Sequence, residues 1–320
     1  MHAKKVECMN LPLISIIIIT WNRRDDVQEA IRSVYEQAYP HFEIIVIDNG
    51  SNDGTVDAVQ QAFPAVRIIA LDKNMGIGAR NAGIRIAKGE IIFCLDSDAS
   101  LGRESLANLV SKFQAEPRIG VINSKILNAY TKQLTDGPGW SYSEKDKEDQ
   151  NKEFLSYSFS EGGAGIRRKL FTEIGPFWEP LFFGCEGQEF SLRVLDAGYD
   201  IQYFPGSIVY HREAQQSRIS NEQKYYFFLR NTLYIYLVRF PLWLMGIFMP
   251  LKISAFLVSG ARRGYLQQIL RSLLDFVRQI PFLLKQRQPI HNETARLYMK
   301  LQRQHGSLRW DLPTWLKNKT

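Results

Sequence analysis

The chain has 320 residues, 45% hydrophobic and 23% charged, a composition typical of a globular protein with a substantial core and not of a disordered or fibrous one. Its three cysteines, Cys8, Cys94 and Cys185, are too few and too widely spaced for a zinc pattern or a disulfide framework, so we expect a reducing compartment. The net charge is +7, and the first ten residues show no signal-peptide pattern.

Residues 13–127 alternate β-branched apolar runs with amphipathic segments. Uninterrupted runs such as LISIIIIT are typical of strands buried on both faces, which indicates parallel pairing. We predict strands at 13–20, 42–48, 66–71, 90–98 and 119–127, and helices at 23–38, 53–63, 76–89 (closed by Gly89) and 106–113. This alternation predicts an α/β fold with a mostly parallel sheet sandwiched by helices, and such sheets bind ligands at the carboxyl ends of their strands.

Three polar loops begin where predicted strands end. They are Thr20-Trp21-Asn22, the segment 48–53 with Asp48, Asn49, Ser51 and Asp53, and Asp96-Ser97-Asp98. Parallel topology brings these loops to one edge of the sheet, where carboxylates repel one another unless a cation lies among them. We therefore predict a Mg²⁺ or Mn²⁺ ion shared with a diphosphate. The alternative is that one aspartate caps the next helix and the other is solvated.

The stretch NMGIGARNAGIRIAKGE resembles a dinucleotide-binding fingerprint but fails it, because Asn81 stands where the third glycine belongs. Gly76, Gly78 and Gly83 still permit a close approach of the backbone. Arg80 stands at a predicted helix start, within reach of a diphosphate. The alternative is that the glycines serve helix–sheet packing and that Arg80 forms a surface ion pair.

Five stretches together identify a family. They are ISIIIITWNRRD, IIVIDNGSNDGT, NMGIGARNAGIRIAKGEIIFCLDSDA, GGAGIRRKLFTEIGPF and CEGQEFSLRVLDAGYDIQYFP. In this order they closely resemble family 2 glycosyltransferases with the GT-A fold, over about residues 13–212, and the rhamnosyltransferase-like branch is nearest. The resemblance implies inverting transfer of a sugar from a UDP-, dTDP- or GDP-linked donor with a bound metal.

The resemblance also implies roles for individual residues. It places the base and ribose of the donor at Thr20, Asp48 and Asp53, and it makes Asp98, with Asp96, a metal ligand. His211 matches a histidine that often completes the metal shell or contacts the diphosphate in relatives, although a lone histidine at a strand end is more often structural or solvent-facing. The remaining donor-site residues that we assign are Asn22, Asn49, Ser51, Gly76, Arg80, Asn81 and Ser97.

An inverting transfer needs a base that takes the proton of the acceptor hydroxyl. The family usually places it in a motif Glu-Asp-x-Asp/Glu, but here the stretch reads Glu186-Gly187-Gln188-Glu189, so the position that often holds the catalytic aspartate is glycine. Glu189 stands four residues before Arg193, a spacing that favours an ion pair. We predict Glu186 as the base and Glu189 as the second candidate, and impaired catalysis is the third interpretation.

The C-terminal part differs from the rest in charge. Residues 218–320 hold 17 Lys and Arg against 4 Asp and Glu, whereas residues 1–217 hold 23 against 29. We therefore divide the chain into an extension at 1–12, the GT-A domain at 13–217 and a basic helical region at 218–320. The balance favours an anionic partner, and the absence of any nucleic-acid motif argues against DNA or RNA.

Residues 225–265 are the most apolar of the chain, but the uncharged run 240–251 is shorter than the ~20 residues that span a bilayer. We predict an interfacial surface on the cytoplasmic face of the cell membrane, and buried helices under the catalytic domain are the alternative. The residues assigned to lipid are Trp243, Phe248 and Met249, and those assigned to headgroups are Arg230, Arg239, Lys252, Arg262 and Arg263.

These observations predict a glycosyltransferase that modifies a cell-surface polysaccharide or a lipid-linked glycan at the inner face of the membrane. Gly187 keeps a second hypothesis open, in which the chain is a non-catalytic GT-A-fold scaffold or binding protein in a membrane glycan-assembly complex.

Overall fold

The computed structural model describes residues 11–134, 142–212 and 219–306, so Cys8 and the boundary predicted at 217/218 lie outside the described residues. The strands are β1 Ile14–Thr20, β2 Phe42–Asp48, β3 Arg67–Ala70, β4 Ile91–Asp96, β5 Ala99–Leu101, β6 Ile119–Asn128, β7 Phe154–Leu155, β8 Gly163–Arg167 and β9 Asp200–His211. The α-helices are α1 Arg24–Tyr35, α2 Thr55–Ala62, α3 Arg80–Ile86, α4 Ser105–Ala115, α5 Glu144–Glu148, α6 Lys169–Glu173, α7 Glu186–Asp196, α8 Asn221–Arg239, α9 Leu242–Arg263, α10 Leu266–Lys285 and α11 Asn292–His305. Two 3₁₀ turns lie at Gly76–Ala79 and Glu179–Leu181.

The strands form one sheet in the order β3-β2-β1-β4-β8-β6-β9-β5, with β7 paired to β9. The four strands β3-β2-β1-β4 are parallel, as predicted from their apolar runs, and β6 is parallel to β9. The strand β8 is antiparallel to β4 and β6, and β5 and β7 are antiparallel to β9. The predicted α/β class is confirmed, and the antiparallel pairings are confined to the half of the sheet that follows β4.

Side chains of β1 alternate between two hydrophobic layers because successive residues of a strand point to opposite faces. Ile16 and Ile18 pack in the layer formed with α1 and α4, which includes Ile31 and Leu109. Ile17 packs in the opposite layer, which extends through α7 to α8 and α11. The sheet is therefore covered on both faces, and only its strand ends are open for polar chemistry.

The predicted helix 76–89 is shorter than expected. A 3₁₀ turn leads into α3, and the helix ends at Ile86 with Ala87 as its C-cap. Gly89 is needed for a different reason, because a Cβ there would lie 2.5 Å from the backbone nitrogen of Ser15 on β1. Gly83 plays the packing role given as the alternative, since a Cβ there would lie 2.6 Å from Cδ1 of Ile47.

The C-terminal helices divide into an inner and an outer group. The inner helix α8 buries Ile235 and Val238 in the same layer as the sheet. The outer helices α9 and α10 keep large apolar side chains exposed. Pro250 lies inside α9 without ending the helix, which has 22 residues. By length and composition alone, α9 is the one helix in the described part of the chain that could cross a membrane.

Candidate donor and metal site

The ends of β1, β2 and β4 meet at one edge of the sheet. Thr20 pairs in register with Asp48, and Ile19 pairs with Asp96. Three residues after Asp96 the chain enters β5, which pairs antiparallel with the end of β9, and there Ala99 stands opposite His211. Strand pairing thus brings together three polar segments that lie far apart in the sequence.

Asp96, Asp98 and His211 form the centre of this edge. Each offers one ligand atom, and these atoms lie within 4.8 Å of one another. His211 Nε2 is 3.3 Å from Oδ1 of Asp98, whose side chain is almost completely buried. Two carboxylate oxygens and an imidazole nitrogen are a donor set that suits Mn²⁺ or Mg²⁺. The residues present therefore fit the predicted metal.

Two guanidinium groups also face this cluster. Arg23 Nη1 lies 3.1 Å from Oδ2 of Asp98, and Arg80 Nη2 lies 2.5 Å from Oδ1 of Asp96. Arg80 is 1% exposed, so its predicted alternative as a surface ion pair is wrong. Its Nε and Nη1 atoms have no hydrogen-bond partner among the described residues, and a buried unmet donor is costly. These N–H groups can therefore donate hydrogen bonds to an anionic or hydroxylated ligand.

Two buried oxygen atoms at the same edge also have no hydrogen-bond partner within the described part of the chain. They are Oγ1 of Thr20 and Oδ1 of Asp48, whereas Oδ2 of Asp48 accepts the backbone N–H of Ser51. Both residues are nearly inaccessible, with exposures of 2%. Together with Arg80, they give the site unmet donors and acceptors where the base and ribose of a donor are expected.

Several predicted donor-site residues shape the loops through hydrogen bonds with one another. The backbone N–H of Asn22 donates to Ser51 Oγ, and Oδ1 of Asn22 accepts the backbone N–H of Asn52. Asp53 accepts the backbone N–H groups of Arg24 and Thr55. The buried Ser97 carries a carbonyl 3.5 Å from Arg212 Nη2.

Three further predicted residues lie in a second contact region formed with the segment 177–182. Asn49 donates to the side chain of Asn74 and to the carbonyl of Gly76. A Cβ at Gly76 would overlap the carbonyl oxygen of Phe182. Asn81 donates to the carbonyl of Phe177 and accepts its N–H. These side chains hold the loops around the site, and the glycine serves loop packing.

The two candidate bases occupy different environments. Glu189 is fully buried and lies between Arg193 and Arg239, at 2.6 and 2.7 Å, so the ion-pair role given as its alternative is the one observed. Glu186 is 2% exposed, and neither carboxylate oxygen has a hydrogen-bond partner among the described residues. Burial, followed by the charge of Glu161, raises the pKa of Glu186 to about 8. Of the two, Glu186 has the properties of a general base near neutral pH.

Sequence reasoning missed Glu161, Arg23 and Arg212. Glu161 precedes β8, and its carboxylate accepts the backbone N–H of Gly187 at the start of α7. Arg212 donates to the carbonyl of Asp26 and pairs with Glu29, which fixes the end of β9 against α1. The signal that could have found Glu161 is its position, as an acidic residue directly before the family-like stretch GGAGIRRKLFTEIGPF.

Known proteins share the sequence pattern and the fold of this chain. The sequence profile described as "Glycosyl transferase family 2" matches residues 15–175, half of the chain. The chain is 30% identical over 181 residues to the GalNAc(5)-diNAcBac-PP-undecaprenol beta-1,3-glucosyltransferase of Campylobacter jejuni, covering 55% of this chain and 58% of that protein. It is 26% identical over 201 residues to the glycosyltransferase AglE of Haloferax volcanii, covering 60% and 64%.

A solved structure shows the same fold. The mannosyltransferase PcManGT from Pyrobaculum calidifontis, in complex with GDP-Man and Mn²⁺, superposes with a TM-score of 0.55 at 19% identity. The match covers 94% of this chain and 78% of that one. The chain spans less than two thirds of the length of the curated relatives it matches, from 19% to 64%.

Proposed function

The chain belongs to glycosyl transferase family 2, and we propose that it is an inverting, metal-dependent glycosyltransferase that uses a nucleotide-diphospho-sugar donor. The observation that carries this proposal is the cluster of Asp96, Asp98 and His211 beside the partly unpaired guanidinium of Arg80. A carboxylate–imidazole cluster alone would suit many metal proteins. A cationic side chain with free donors next to it suits a bound diphosphate in particular.

Asp98, Asp96 and His211 would hold the metal ion, which acts as a Lewis acid on the departing diphosphate. Arg80 donates from Nε and Nη1 to the diphosphate oxygens, while its Nη2 stays on Asp96. Thr20 Oγ1 and Asp48 Oδ1 receive donor groups on the nucleoside side. The assigned atoms of Arg80, Thr20 and Asp48 are buried and have no hydrogen-bond partner among the described residues, so ligand binding removes a cost that the free protein carries.

Glu186 is the proposed base. Its carboxylate takes the proton of the acceptor hydroxyl as that oxygen forms a bond to the anomeric carbon, while the bond between this carbon and the diphosphate oxygen breaks. A pKa of about 8 leaves the carboxyl partly ionised at neutral pH and makes the carboxylate a stronger base than an ordinary glutamate. Glu189 does not take part, because two arginines occupy its oxygens.

The donor and acceptor are proposed from the relatives and the chemistry of the site. A donor linked to UDP, dTDP or GDP fits the base and ribose residues, and the Pyrobaculum mannosyltransferase was solved with GDP-Man. The Campylobacter relative is named for an undecaprenol-linked glycan. We therefore propose a cell-surface polysaccharide or a lipid-linked glycan as acceptor.

We further propose that the outer helices rest on the anionic inner face of the cell membrane. On α10, Leu266, Leu270, Leu274 and Val277 recur at helical spacing and are between 46% and 60% exposed. On α9, Leu242, Ile247 and Val258 are also exposed. Basic side chains accompany this face, including the exposed Arg262, Arg271 and Lys285. An apolar face with basic flanks suits anionic lipid.

The lipid-facing residues differ in part from those first predicted. Trp243 is 41% exposed, as an interfacial residue should be, but Phe248 is buried in the core. Arg239 is buried against Glu189, and Arg230 donates to the carbonyls of Pro180 and Leu181. Our proposed surface therefore comprises the exposed stripes of α9 and α10 and excludes these inner residues.

The deciding experiment is a calorimetry panel of UDP-, dTDP- and GDP-sugars with and without Mn²⁺, followed by donor turnover. Metal-dependent binding of one nucleotide and release of its diphosphate are expected. Absence of binding to every nucleotide in the presence of Mn²⁺ would refute the proposal. Binding without turnover would favour a non-catalytic scaffold, the hypothesis that Gly187 keeps open.

A further inference from the structure

We propose that Glu161 is a positioning residue for Glu186: it fills the space of the side chain that Gly187 lacks and holds the first turn of α7 against the metal cluster. This inference rests on the proposed function, because it concerns the base of the proposed reaction. In this proposal the carboxylate that accompanies Glu186 does not come from position 187. It comes from Glu161, in a different segment of the chain, directly before the Gly162–Gly163 pair.

The first observation is the environment of Gly187. A Cβ at this position would overlap the carbonyl oxygen of Phe159 and would lie 2.7 Å from Oε1 of Glu161. The same Glu161 oxygen accepts the backbone N–H of Gly187. Because the first N–H groups of a helix have no partner within the helix, an acceptor there stabilises the helix start. The space beside residue 187 is therefore occupied by a carboxylate from another segment.

The second observation concerns Gly162, the neighbour of Glu161. A Cβ at Gly162 would overlap Oδ2 of Asp96 and lie 2.6 Å from its Cγ. The carbonyl of Gly162 also accepts the backbone N–H of Asp96 at 3.3 Å. The dipeptide 161–162 thus lies between a proposed metal ligand on one side and the start of the helix that carries Glu186 on the other. It can set the distance between the departing diphosphate and the base.

The third observation is electrostatic. Burial raises the pKa of Glu161, and burial and then Glu161 raise the pKa of Glu186. Arg80 opposes the rise in the pKa of Glu186, and the neighbouring Cys185 thiol has its own pKa raised to about 12 by burial and then by Glu186. Two carboxyl groups in one buried site do not readily ionise together. The nearness of Glu161 thus adds to burial in keeping Glu186 basic.

The test separates the shape of Glu161 from its charge. Glu161→Gln keeps an oxygen for the Gly187 N–H but removes the charge, whereas Glu161→Ala removes both. The control is Glu116→Gln, which makes the same chemical change at the exposed C-cap of α4. Wild type and variants are assayed as full chains with Mn²⁺, using hydrolysis of UDP-N-acetylglucosamine and GDP-mannose as probes. The measurement is the pH profile of kcat/KM.

We expect the acidic limb of the Glu161→Gln profile to move to lower pH by about half a unit or more, with KM for the donor within about twofold of wild type. Glu161→Ala should show the same displacement and, in addition, a kcat about tenfold lower, which glutamine at this position partly rescues. Glu116→Gln should coincide with wild type. A Glu161→Gln profile that coincides with wild type would overturn the inference.

A second measurement needs no substrate. A carboxyl whose pKa is raised on folding binds more protons in the folded than in the unfolded state, so stability falls as pH rises from about 4.5 towards about 8. In Glu161→Gln the decrease in Tm over this pH range should be smaller by about 2 °C or more, because the repulsion between the carboxyl groups of residues 161 and 186 is removed. Parallel Tm curves for wild type and variant would also overturn the inference. Failure of wild type to bind any nucleotide would refute the proposed function instead.

Discussion

His211 Nε2 lies 3.3 Å from Oδ1 of Asp98, and the pairing of β5 with β9 brings together the two distant segments to which these residues belong. The metal cluster therefore depends on a three-residue strand, β5, which holds the two segments in register. Its integrity is a condition for any chemistry at this edge of the sheet.

Replacing Asp98 by asparagine should abolish metal-dependent binding of nucleotide. The change keeps the size of the buried side chain but removes its negative charge. We expect the affinity for Mn²⁺ with UDP or GDP to fall by more than about 100-fold, because loss of a group that only hydrogen-bonds to a metal ligand already lowers metal affinity by about 10–100-fold. Isothermal titration calorimetry measures this directly. Asp57→Asn, an exposed aspartate on α2, is the matched control and should bind as wild type does. Unchanged binding by Asp98→Asn would remove this residue from the site.

His211→Ala should weaken metal binding without unfolding the protein. The imidazole is 26% exposed and lies at the polar edge of the sheet, so its removal takes no apolar side chain from the hydrophobic core. We expect the Mn²⁺ concentration for half-maximal turnover to rise by about 10-fold or more, with the unfolding midpoint nearly constant. His41→Ala, at a site remote from the cluster, is the control. An unaltered Mn²⁺ requirement would assign His211 a structural role.

The two glutamates of α7 should respond in opposite ways to replacement by glutamine. Glu186→Gln should lower kcat by about 10²–10⁴-fold while donor binding persists, because only the proton acceptor is lost. Glu189→Gln should instead destabilise the fold by about 3–5 kcal/mol, because Arg193 and Arg239 lose their buried counter-charge. Kinetics and thermal denaturation, measured on both variants, distinguish the roles. A catalytic loss in Glu189→Gln at full stability would reverse our assignment.

Gly187→Asp restores the residue that the family often has at this position, yet it should not improve the enzyme. The new side chain meets the Phe159 carbonyl and the Glu161 carboxylate, so we expect overpacking of about 1–3 kcal/mol and lower turnover. Gly246→Asp on α9 is the control, since nothing lies within 4 Å of a Cβ there and its φ is not positive. Higher turnover in Gly187→Asp would show that the glycine impairs catalysis.

The exposed stripe of α10 should govern attachment to membranes. Leu270→Glu combined with Leu274→Glu places two charges on the proposed lipid-facing side, and each leucine contributes about 2 kcal/mol when buried. We expect co-sedimentation with anionic vesicles to fall by about 100-fold or more, with hydrolysis of soluble donor unchanged. Leu155→Glu, at a similarly exposed leucine of β7, is the control. Vesicle binding that survives the double change would exclude this face.

The strand ends and their polar loops were predictable because long β-branched runs permit only buried strands. The runs that end in Thr20, Asp48 and Asp96 all occupy the predicted edge. Short or irregular pieces were not predictable in this way. The strand β5 has only three residues, and the pairing of Arg23 with Asp98 joins a loop to a turn with no periodic signal.

Long-range partners explain the other differences. Gly76 looked like a ligand-binding glycine, but it meets Phe182, a contact that no local pattern encodes. Phe248 and Arg239 looked like membrane contacts because the segment is apolar and basic, yet both face inward. Periodicity identifies an apolar face, and it does not say whether protein or lipid covers that face.

The burial of Glu189 between Arg193 of α7 and Arg239 of α8 has a consequence for how such proteins can be recombined. A gene fragment that ends near residue 217 would keep Glu189 but lose Arg239, one of the two arginines that neutralise its buried charge. It would also lose the apolar side chains of α8 that complete the hydrophobic layer under the sheet. The catalytic half and the inner helix must therefore be exchanged between relatives as a single piece. Any replacement of α9 or α10 must also keep the buried contacts of Phe256 and Ile269 with α8.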